Sequence, residues 1–497
     1  MDRRRRHRRH RRQLPAAARG RIVAGRRPLL RRAGRRLPGH AHRHLQRRAR
    51  RRPGHGRPPR HPAHGRARAR RRRPGHRWER GARPARAHPL ADVRGERVVT
   101  VDLTAPAASA DPYAVFEELR STDPVHWSEA HRAWLITRYD DVSDAFRNKA
   151  FSNDRVRPVL ARRKEPSAAS DVLGLLAGWM VVTDPPDHTR LRKLAAGAFK
   201  GQRIAVMGEQ ITAIVDGLLS AFLDGAGEQD LISEVAYPLP ATVIATMLGA
   251  PPADRDRFRE WSDELALVAF GTGGAARAGR HERALRGLRE MDAYFHALVD
   301  HRRRDPGDDM LSALMARDGD DLLSDDELVA MCALLLFAGH ETTTNSIANA
   351  VLALLRHPDQ LERLRADPDL IGPAVEELLR FDGPIKVLNR WVVAETEVRG
   401  KRISPGERVH LVLASANRDP ERFDDPDTLD LGRNPNPHIA FGKGIHACIG
   451  AQLARMETRI TVARIVSRMP SLQLAEEPVW KDVLASRAMD RLVVRHS

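Results

Sequence analysis

An almost unbroken run of apolar positions follows Ser324 and extends to Leu355, shortly before His357–Pro358. Ser324 and Glu327 have the spacing of a capping box, and the residue before a proline disfavours helix, so both ends of a helix are marked. The pattern predicts one helix of about 32 residues, roughly 48 Å long. Because it is apolar nearly all round, we expect this helix to be buried at the centre of the fold.

A short polar segment, Gly339–Asn345, lies in the middle of this predicted helix. Glycine in a helix interior costs about 1 kcal/mol relative to alanine. A buried carboxyl group such as that of Glu341 costs more unless it has a partner. A local conflict of this kind inside a strong helical pattern indicates a functional site.

The remaining patterns predict a mainly α protein with a minor β region near its two ends. Trp134–Thr137 and Trp391–Ala394 read as short strands. Gly400–Leu413 is expected to form a hairpin around the turn Ser404–Gly406. Ile449–Met469 has apolar residues at helical spacing and predicts a helix.

Charge divides the 497-residue chain into two segments. The net charge is +21, but residues 1–95 hold 35 arginines and three acidic residues, so they carry +32 and residues 96–497 carry −11. The first segment has too few large apolar residues to offset its ordering entropy, and we expect it to be disordered. Residues 96–497 are expected to form the globular domain.

The Arg-rich extension has the charge of an arm that binds nucleic acid or a membrane surface. It contains no lysine, however, and the first lysine of the chain is Lys149. Its composition is more typical of codons that lie upstream of the true start of the protein than of a functional arm. Under this hypothesis the true start lies near Val98 or Val99.

The chain has two cysteines, Cys332 and Cys448. Two cysteines provide neither a disulfide framework nor a zinc ligand set, which favours a reducing compartment. The longest apolar run, Val329–Ala338, is about half of what a membrane span needs, and no secretory signal is visible. A cytoplasmic protein without a membrane anchor is therefore expected. Cys332 lies on the apolar flank of the long helix, where a free cysteine usually serves as a small buried apolar residue.

The strongest chemical signal is the segment Phe441–Gly450, which has the pattern F-G-x-G-x-H-x-C-x-G. A chance match to its six defined positions is on the order of one in a million for this composition. Glycines let the backbone approach closely and direct N–H groups at the sulfur of Cys448. The dipole of the helix that follows favours an anionic sulfur. The alternative, an inert cysteine in a Gly-rich turn, is disfavoured by this frame.

On these residues the chain resembles the cytochrome P450 family over about residues 98–497, in particular its short bacterial class. The resemblance implies the cytochrome P450 fold, with haem b between the long central helix and the Cys-bearing loop. Cys448 would be the iron ligand, because a thiolate donates electron density that promotes O–O cleavage. Phe441, Gly442 and Gly450 would frame that ligand.

Further stretches support the resemblance. Ala338-Gly339-His340-Glu341-Thr342, with Glu341 107 residues before Cys448, resembles the family's oxygen-activation motif. In that family Ala338 and Gly339 would widen a groove over the haem, Thr342 would hold oxygen and an ordered water, and Glu341 would relay protons. Thr343 and Asn345 would support the relay. A competing interpretation is that Thr342 only bonds the carbonyl four residues earlier.

Glu377-Leu378-Leu379-Arg380 resembles the family's E-x-x-R pair, which has a structural role, and Arg433 lies where a third partner is usually found. Residues at i and i+3 share a helix face and can pair. His188 and Arg192, in a helix that opens at Asp184, resemble family residues that bind the haem propionates. Arg390 and His446 resemble the remaining propionate ligands, and arginine pairs well with carboxylate.

The function implied is insertion of one atom of O2 into a hydrophobic organic molecule, by C–H hydroxylation or epoxidation. Neither a flavin nor an Fe–S module is indicated in the sequence, so a separate ferredoxin and ferredoxin reductase would supply electrons, with NAD(P)H involved only indirectly. Lys443 and Arg455 are candidates for docking an acidic ferredoxin, although an ordinary solvated face explains them equally well. A monomer is expected.

Three alternatives remain open from the sequence: a peroxide-using haem-thiolate enzyme, a haem sensor without turnover and, more remotely, a nucleic-acid binder acting through the basic extension. The substrate is not readable. The resemblance implies that it is set by five largely apolar regions, which suit a terpenoid, polyketide or fatty-acid type of molecule. These are the loop before His188, Ala241–Gly271, Leu335–His340, Ile385–Val387 and Ala488–Met489.

Overall fold

The computed structural model describes residues 101–163, 165–197, 199, 201–271, 279–316 and 322–496. The predicted disordered extension, residues 1–95, lies outside the described residues. Helices make up most of the described chain and strands a minor part, which confirms a mainly α fold.

In chain order, the α-helices of the described residues are α1 (Pro106–Ala110), α2 (Tyr113–Thr122), α3 (Tyr139–Ala145), α4 (Arg157–Arg162), α5 (Ala168–Leu176), α6 (Asp187–Ala196), α7 (Gly201–Asp224), α8 (Pro238–Leu248), α9 (Arg255–Ala269), α10 (Arg280–Arg304), α11 (Met310–Met315), α12 (Asp325–Arg356), α13 (Pro358–Ala366), α14 (Ile371–Asp382), α15 (Leu413–Ala416) and α16 (Ala451–Arg468). The strands are β1 (Val125–Ser128), β2 (Ala133–Ile136), β3 (Phe151–Ser152), β4 (Glu228–Asp230), β5 (Val387–Val392), β6 (Thr396–Val398), β7 (Lys401–Ile403), β8 (Arg408–Val412), β9 (Gln473–Leu474), β10 (Val479–Trp480), β11 (Met489–Arg491) and β12 (Val493–Arg495).

The central helix α12 has the length and the capping box that the sequence predicts. The Ser324 hydroxyl accepts from the Glu327 N–H, and the Glu327 carboxylate accepts from the Ser324 N–H. Acidic residues in its first turn complement the helix dipole. Almost every side chain from Leu328 to Leu354 is buried, because α8, α9, α10, α14 and α16 pack around it. This helix is the centre of the main apolar core.

A five-stranded sheet in the order β1-β2-β8-β5-β3 forms the larger part of the β region. The β2–β8 pair is parallel, with Trp134 opposite Val409, and the other pairs are antiparallel. The sheet has its own apolar core, to which Val392 and Leu411 contribute. Its strand β5 places Arg390 opposite Val409, and this fixes one of the predicted cofactor-binding side chains on a rigid element.

The predicted hairpin at Gly400–Leu413 is wrong in its pairing. Strand β7 pairs with β6, and β8 pairs with β5 and β2 in a different sheet. The hairpin turn is Arg399–Gly400, where both residues have positive φ, of 47° and 75°. Two consecutive positive φ values give the turn that matches strand twist, whereas the turn at Ser404–Glu407 only connects the two sheets.

Among the described helices, the stretch Val206–Asp224 of α7 is the one that is long and apolar enough to cross a membrane, by length and composition. Its residues Ile211, Val215 and Leu219 are completely buried in the main core. A core helix of a folded domain has the same length and composition, so this stretch is weak evidence of a membrane span.

The helix α16, which begins just after Cys448, buries a carboxyl group in the core. The side chain of Glu457 is 2% exposed, and its Oε2 atom has no hydrogen-bond partner among the described residues. Burial raises the pKa of Glu457 to about 8, since desolvation disfavours the ionised form. The group is therefore neutral in the folded protein at neutral pH.

We expect Glu457→Gln to make the folded protein less sensitive to high pH. The unfolded chain ionises Glu457 near pH 4, so the stability linked to this group is complete below that pH and is lost as the pH rises to about 8. With glutamine there, the free energy of unfolding should fall less between pH 5 and pH 8, by a few kcal/mol, because one pKa unit corresponds to about 1.4 kcal/mol. Urea unfolding at both pH values measures this difference. The exposed Glu397 supplies the control Glu397→Gln, and an equal pH dependence in both variants would refute the prediction.

Candidate active site

The loop that carries Cys448 is held in a tight path by two glycines. Gly442 and Gly444 have positive φ values of 67° and 72°, which side chains rarely tolerate. A Cβ atom at Gly444 would lie 3.1 Å from the Phe146 carbonyl oxygen, so α3 and the loop can approach closely only with glycine there. The Cys448 N–H donates to the Phe441 carbonyl at 3.0 Å and closes the loop.

Cys448 lies at the end of this loop, just before α16, and is exposed. Burial of the group within the loop raises the pKa of the Cys448 thiol, and the Gly450 N–H together with Arg192 and Arg455 opposes that rise. Gly450 has an ordinary φ of −88°, and a Cβ added there would meet no described atom within 4 Å. The tight backbone path is seen at Gly442 and Gly444, whereas the Gly450 N–H favours the anionic form of Cys448.

The central helix has one open face in the middle of its buried length. Ala338 is exposed and Thr342 is half-buried, whereas His340 and Thr343 are buried. Residues at i and i+4 share a helix face, so Ala338 and Thr342 define the open side. The Thr342 hydroxyl donates to the Ala338 carbonyl at 2.8 Å, as the competing interpretation of this threonine expected, and its oxygen keeps the capacity to accept.

Gly339, the next residue of α12, lies against α8. A Cβ atom at Gly339 would lie 3.4 Å from Cδ1 of Ile244. A methyl group at this position would therefore make an ordinary van der Waals contact with Ile244, and Ala338 is the small residue on the open face.

Glu341 is 5% exposed and lies beside the open face. Its Oε1 atom accepts from the Asn345 side-chain amide at 3.3 Å, one turn further along α12. The sequence placed Asn345 in support of Glu341, and the structure brings the two together. Thr343 is 2% exposed, and its hydroxyl makes no hydrogen bond to another described residue.

Basic side chains from four parts of the chain converge near the Cys loop. The rings of His188 on α6 and His446 in the loop lie 3.8 Å apart, and Arg192 donates to the Ala447 carbonyl at 2.6 Å. His446 is close enough to three arginines for their charges to lower its pKa: Arg390, Arg192 and a further residue, Arg155. The structure thus assembles all four of the predicted propionate-binding residues and adds Arg155 to them.

Arg155 is placed by a turn that Asp184 organises. The Asp184 carboxylate accepts from the Ser152 hydroxyl and, at 3.1 Å, from the Asn153 N–H. This fixes the segment after β3 so that Arg155 lies beside Arg390. Sequence reasoning missed Arg155, since no motif surrounds it and only the fold brings it to the site.

The electrostatics of this cluster favour an anionic ligand. Burial, and then the neighbouring Arg155, lower the pKa of Arg390 to about 9. Burial, with His188 and the arginines, lowers the pKa of His446 to about 3. Both ring nitrogens of His188 and Nε2 of His446 have no hydrogen-bond partner among the described residues. Such groups cost free energy unless a ligand satisfies them, and the carboxylates of an anionic ligand fit this donor set.

Glu377 and Arg380 form a fully buried ion pair on α14. Arg380 Nε and Nη2 donate to the two oxygens of Glu377 at 2.7 and 2.8 Å, and both side chains are 0% exposed. Arg433 Nε donates to the same carboxylate at 3.1 Å. Arg380 also donates to three backbone carbonyls, those of Asn417, Pro426 and Thr428. The pair therefore ties α14 to the segment that leads into the Cys loop.

Aromatic side chains join the regions implied in substrate selection. The rings of Trp179 and Phe270 lie 5.9 and 5.3 Å from the ring of Phe337 on α12. The Ala485 N–H donates to the Phe270 carbonyl at 3.0 Å. The Ala485 carbonyl in turn accepts from the N–H of Lys386 at 2.8 Å. Ring contacts and backbone hydrogen bonds therefore link the loop before α6, α9, α12 and the C-terminal segment.

The candidate docking residues are engaged within the fold. Lys443 Nζ donates to the Tyr139 and Ser143 hydroxyls at 3.1 and 3.0 Å. Arg455 makes two hydrogen bonds to Glu376, at 2.7 and 2.9 Å. Both positive charges still lie near the loop, but neither side chain is free of internal contacts.

Cys332 is completely buried, as the sequence indicated, and burial raises the pKa of its thiol to about 12. A thiol in that state is neutral at physiological pH and is a poor ligand or nucleophile. Cys448 is therefore the cysteine of this chain that can act in chemistry.

Comparison with known proteins supports one family. The sequence pattern described as "Cytochrome P450" matches residues 124–473. Cytochrome P450 monooxygenase PikC of Streptomyces venezuelae is 40% identical over 397 residues, which are 78% of this chain and 91% of PikC. The vitamin D(3) 25-hydroxylase of Pseudonocardia autotrophica is also 40% identical, over 77% of this chain and 93% of that protein.

Solved structures agree with these sequence matches. The crystal structure of P450BioI in complex with an acyl carrier protein carrying hexadec-9Z-enoic acid has a TM-score of 0.73 and 35% identity, and the match covers 78% of this chain and 99% of that one.

Proposed function

The chain belongs to the cytochrome P450 family of monooxygenases, and on that premise we propose that it inserts one oxygen atom of O2 into a hydrophobic small molecule. Hydroxylation of a C–H bond is the favoured outcome, with epoxidation as the second. Two observations support the proposal: the central helix has an open face at Ala338 and Thr342, and a loop shaped by glycines presents Cys448.

The family implies a haem cofactor, and the residues present fit haem b. The Cys448 sulfur would bind the iron, with the Gly450 N–H and Arg192 favouring the thiolate. His188, Arg192, Arg390, His446 and Arg155 would hold the two propionates, since these side chains lack sufficient anionic partners of their own. Bound haem supplies the binding and reductive activation of O2.

Glu341 and Thr342 would handle the protons of the reaction. The Thr342 hydroxyl lies on the open face and can accept and donate there while it remains bonded to Ala338. The Glu341 carboxylate is buried next to it and is oriented by Asn345. A carboxyl group one position from an alcohol can pass protons inward without exposing the face to bulk water.

A hydrophobic substrate is supported by the aromatic group Trp179, Phe270 and Phe337. Trp179 and Phe337 are 5% and 7% exposed, and Phe270 is pinned through its backbone to Ala485. All three of these side chains are aromatic, so recognition by this group would depend on apolar contact. P450BioI was solved with a fatty-acyl group, and the relative from Pseudonocardia is a vitamin D(3) hydroxylase. By analogy with these two proteins, we propose a lipid-like or polycyclic substrate for this chain.

Phe337→Ala is expected to change which ligands bind. Removing a ring from the middle of the aromatic group leaves space between Trp179 and Phe270. Affinity for small apolar ligands should fall and that for bulkier ones should rise, so that their ratio changes about tenfold, equivalent to about 1.4 kcal/mol. Titration of the haem absorption shift with a graded series of apolar ligands measures the ratio. The control Phe222→Ala removes a buried ring of α7 and should leave the ratio unchanged; an unchanged ratio in Phe337→Ala would refute this placement.

Electrons are proposed to come from a separate ferredoxin and its reductase, with NAD(P)H as the indirect source, in the cytoplasm. Turnover of one substrate with NADPH, ferredoxin and reductase should exceed turnover with peroxide alone, because the acid–alcohol pair is present to deliver protons. Turnover with peroxide only would favour the peroxide-using alternative. Ligand binding without a product under either condition would favour a haem sensor.

A further inference from the structure

Three exposed arginines lie at one end of the five-stranded sheet: Arg132, Arg162 and Arg408. Arg408 begins β8, Arg132 comes directly before β2, and Arg162 is the last residue of α4. We infer that these arginines bind an anionic group at one end of the substrate, so that the substrate is an amphiphile with an apolar body and an acidic end. This inference rests on the proposed function and names its substrate class.

Two of the arginines share one tryptophan. Arg408 lies opposite Trp391 in the β5–β8 strand pair, and the Arg162 guanidinium lies over the Trp391 ring, 4.9 Å from its centre. A Cβ atom at Gly406 would lie 3.1 Å from Arg162 Nη2, so the end of α4 also contacts the turn that leads into β8. Contacts of the folded chain therefore hold Arg162 and Arg408 at the same place on the sheet.

The third arginine, Arg132, reaches this place from the neighbouring strand. Strand β2 begins directly after it and runs parallel to β8, with Trp134 opposite Val409. The starts of parallel strands lie at one end of a sheet, so Arg132 and Arg408 are neighbours. In agreement, partial burial and then the charges of Arg132 and Arg162 lower the pKa of Arg408.

These positive charges are not balanced within the fold. Among the described residues, no carboxylate forms an ion pair with any of the three arginines. The acidic residues closest to β2 and β8 accept hydrogen bonds from indoles instead. The Trp134 indole N–H donates to Glu407 at 2.9 Å, and the Trp127 indole N–H donates to Glu129 at 2.8 Å. Like charges held together repel one another, and an anionic ligand would relieve that repulsion.

A buried polar atom lies beside the arginines on the same face of the sheet. His410 comes two residues after Arg408 on β8, so the two side chains point to one face, about 7 Å apart along the strand. His410 is 3% exposed, and its Nδ1 atom has no hydrogen-bond partner among the described residues. Its ring lies 5.8 Å from the ring of His131, the residue before Arg132. A neutral histidine can donate from this nitrogen to an anionic oxygen that reaches past the arginines.

The same face of the sheet continues inward to the regions implied in substrate selection. Val387 and Trp391 of β5 point to one face and are about 13 Å apart along the strand. Val387 shares an apolar cluster with Leu484. The Leu484 N–H donates at 3.3 Å to the carbonyl of Gly271, the residue after Phe270 of the aromatic group. A molecule of this length would contact Val387 with its apolar body while its acidic end lies at the arginines.

Arginine suits an acidic end because its planar guanidinium donates to two oxygens of a carboxylate or a phosphate at once. The exposed position of all three side chains leaves the acidic end partly hydrated, whereas burying it among the aromatic side chains would cost far more free energy. An end held at the sheet would also decide which carbon of the apolar body reaches the open helix face. The arginines would therefore act in binding and in the position of oxidation.

The test compares three probes with the same apolar chain: dodecanoate, dodecyl phosphate and the uncharged dodecanol. Calorimetric titration of the haem-loaded protein, below the concentrations at which the probes form micelles, measures each dissociation constant. In the wild type, both charged probes should bind about tenfold more tightly than dodecanol. Arg408→Gln and Arg162→Gln should each weaken the charged probes about fivefold, as expected for partly exposed charged hydrogen bonds, and leave dodecanol unchanged.

The control Arg495→Gln removes an exposed arginine of β12, which belongs to a different sheet, and should leave all three dissociation constants unchanged. Tighter binding of dodecyl phosphate identifies a phosphate end and tighter binding of dodecanoate a carboxylate end, and either result supports the inference. Equal affinity for charged and uncharged probes, or charged probes that bind all variants alike, overturns it. Calorimetry needs no turnover, so charge-selective binding without oxygenation would count against the proposed function and not against the anion site.

Discussion

Cys448→Ser is expected to abolish oxygenation while the helical body stays folded. A serine hydroxyl does not ionise near neutral pH, so it cannot donate electron density to iron as a thiolate does. The side chain presents open surface at the end of the loop, and the loop path depends on Gly442 and Gly444 rather than on the sulfur. Product formation with NADPH, ferredoxin and reductase should fall below detection, and circular dichroism should remain helical.

The matched control is Cys332→Ala. This residue is the other cysteine of the chain and is completely buried in the main core. Its substitution should lower stability modestly, as small core truncations do, and should leave oxygenation intact. Oxygenation that survives in Cys448→Ser, or disappears equally in both variants, would contradict the assignment of Cys448.

Glu377→Gln is expected to destabilise the protein by about 3–5 kcal/mol, the usual cost of removing one partner from a buried ion pair. The substitution keeps the shape but leaves the guanidinium groups of Arg380 and Arg433 without their carboxylate. The Arg380 side chain is completely buried, so water cannot replace the lost carboxylate. The midpoint of urea unfolding and the amount of haem retained on purification should both fall.

The chain offers a control with the same spacing. Glu362 and Arg365 on α13 are also an E-x-x-R pair and also form an ion pair, but the Glu362 side chain is 67% exposed and that of Arg365 21%. Exposed pairs contribute about 0–1 kcal/mol, so Glu362→Gln should change stability little. Equal losses of stability in Glu377→Gln and Glu362→Gln would show that the buried pair stabilises the fold no more than an exposed pair does.

The same comparison shows what the sequence could and could not predict. Glu377–Arg380 and Glu362–Arg365 are identical as tetrapeptide patterns, and only the resemblance to a family separated them. Burial is a property of the assembled fold, which brings Arg433 and three backbone carbonyls around one pair. A local pattern contains no information about those distant partners.

Signals that are local in the chain correctly marked the ends of the central helix, but the strand predicted at Trp391–Ala394 ends at Val392. The capping box at Ser324 and the proline at position 358 fixed both ends of α12, because caps and prolines act within one turn. The hairpin at Gly400–Leu413 failed because strand pairing is non-local: β8 had two better partners, β5 and β2, elsewhere in the sheet.

The candidate site shows the same division. Residues inside a motif, such as Cys448 and Thr342, were placed from the sequence and its family resemblance. Arg155 was missed, because Asp184 brings it to the site from a segment without a motif.

The most direct test of the central claim is the absorption spectrum of the reduced, carbon-monoxide-bound protein, purified from cells that supply haem. A thiolate from Cys448 should give the long-wavelength Soret band that marks sulfur ligation, and Cys448→Ser should lose that band. A wild-type protein that takes up no haem, or whose band matches histidine ligation, would contradict the account.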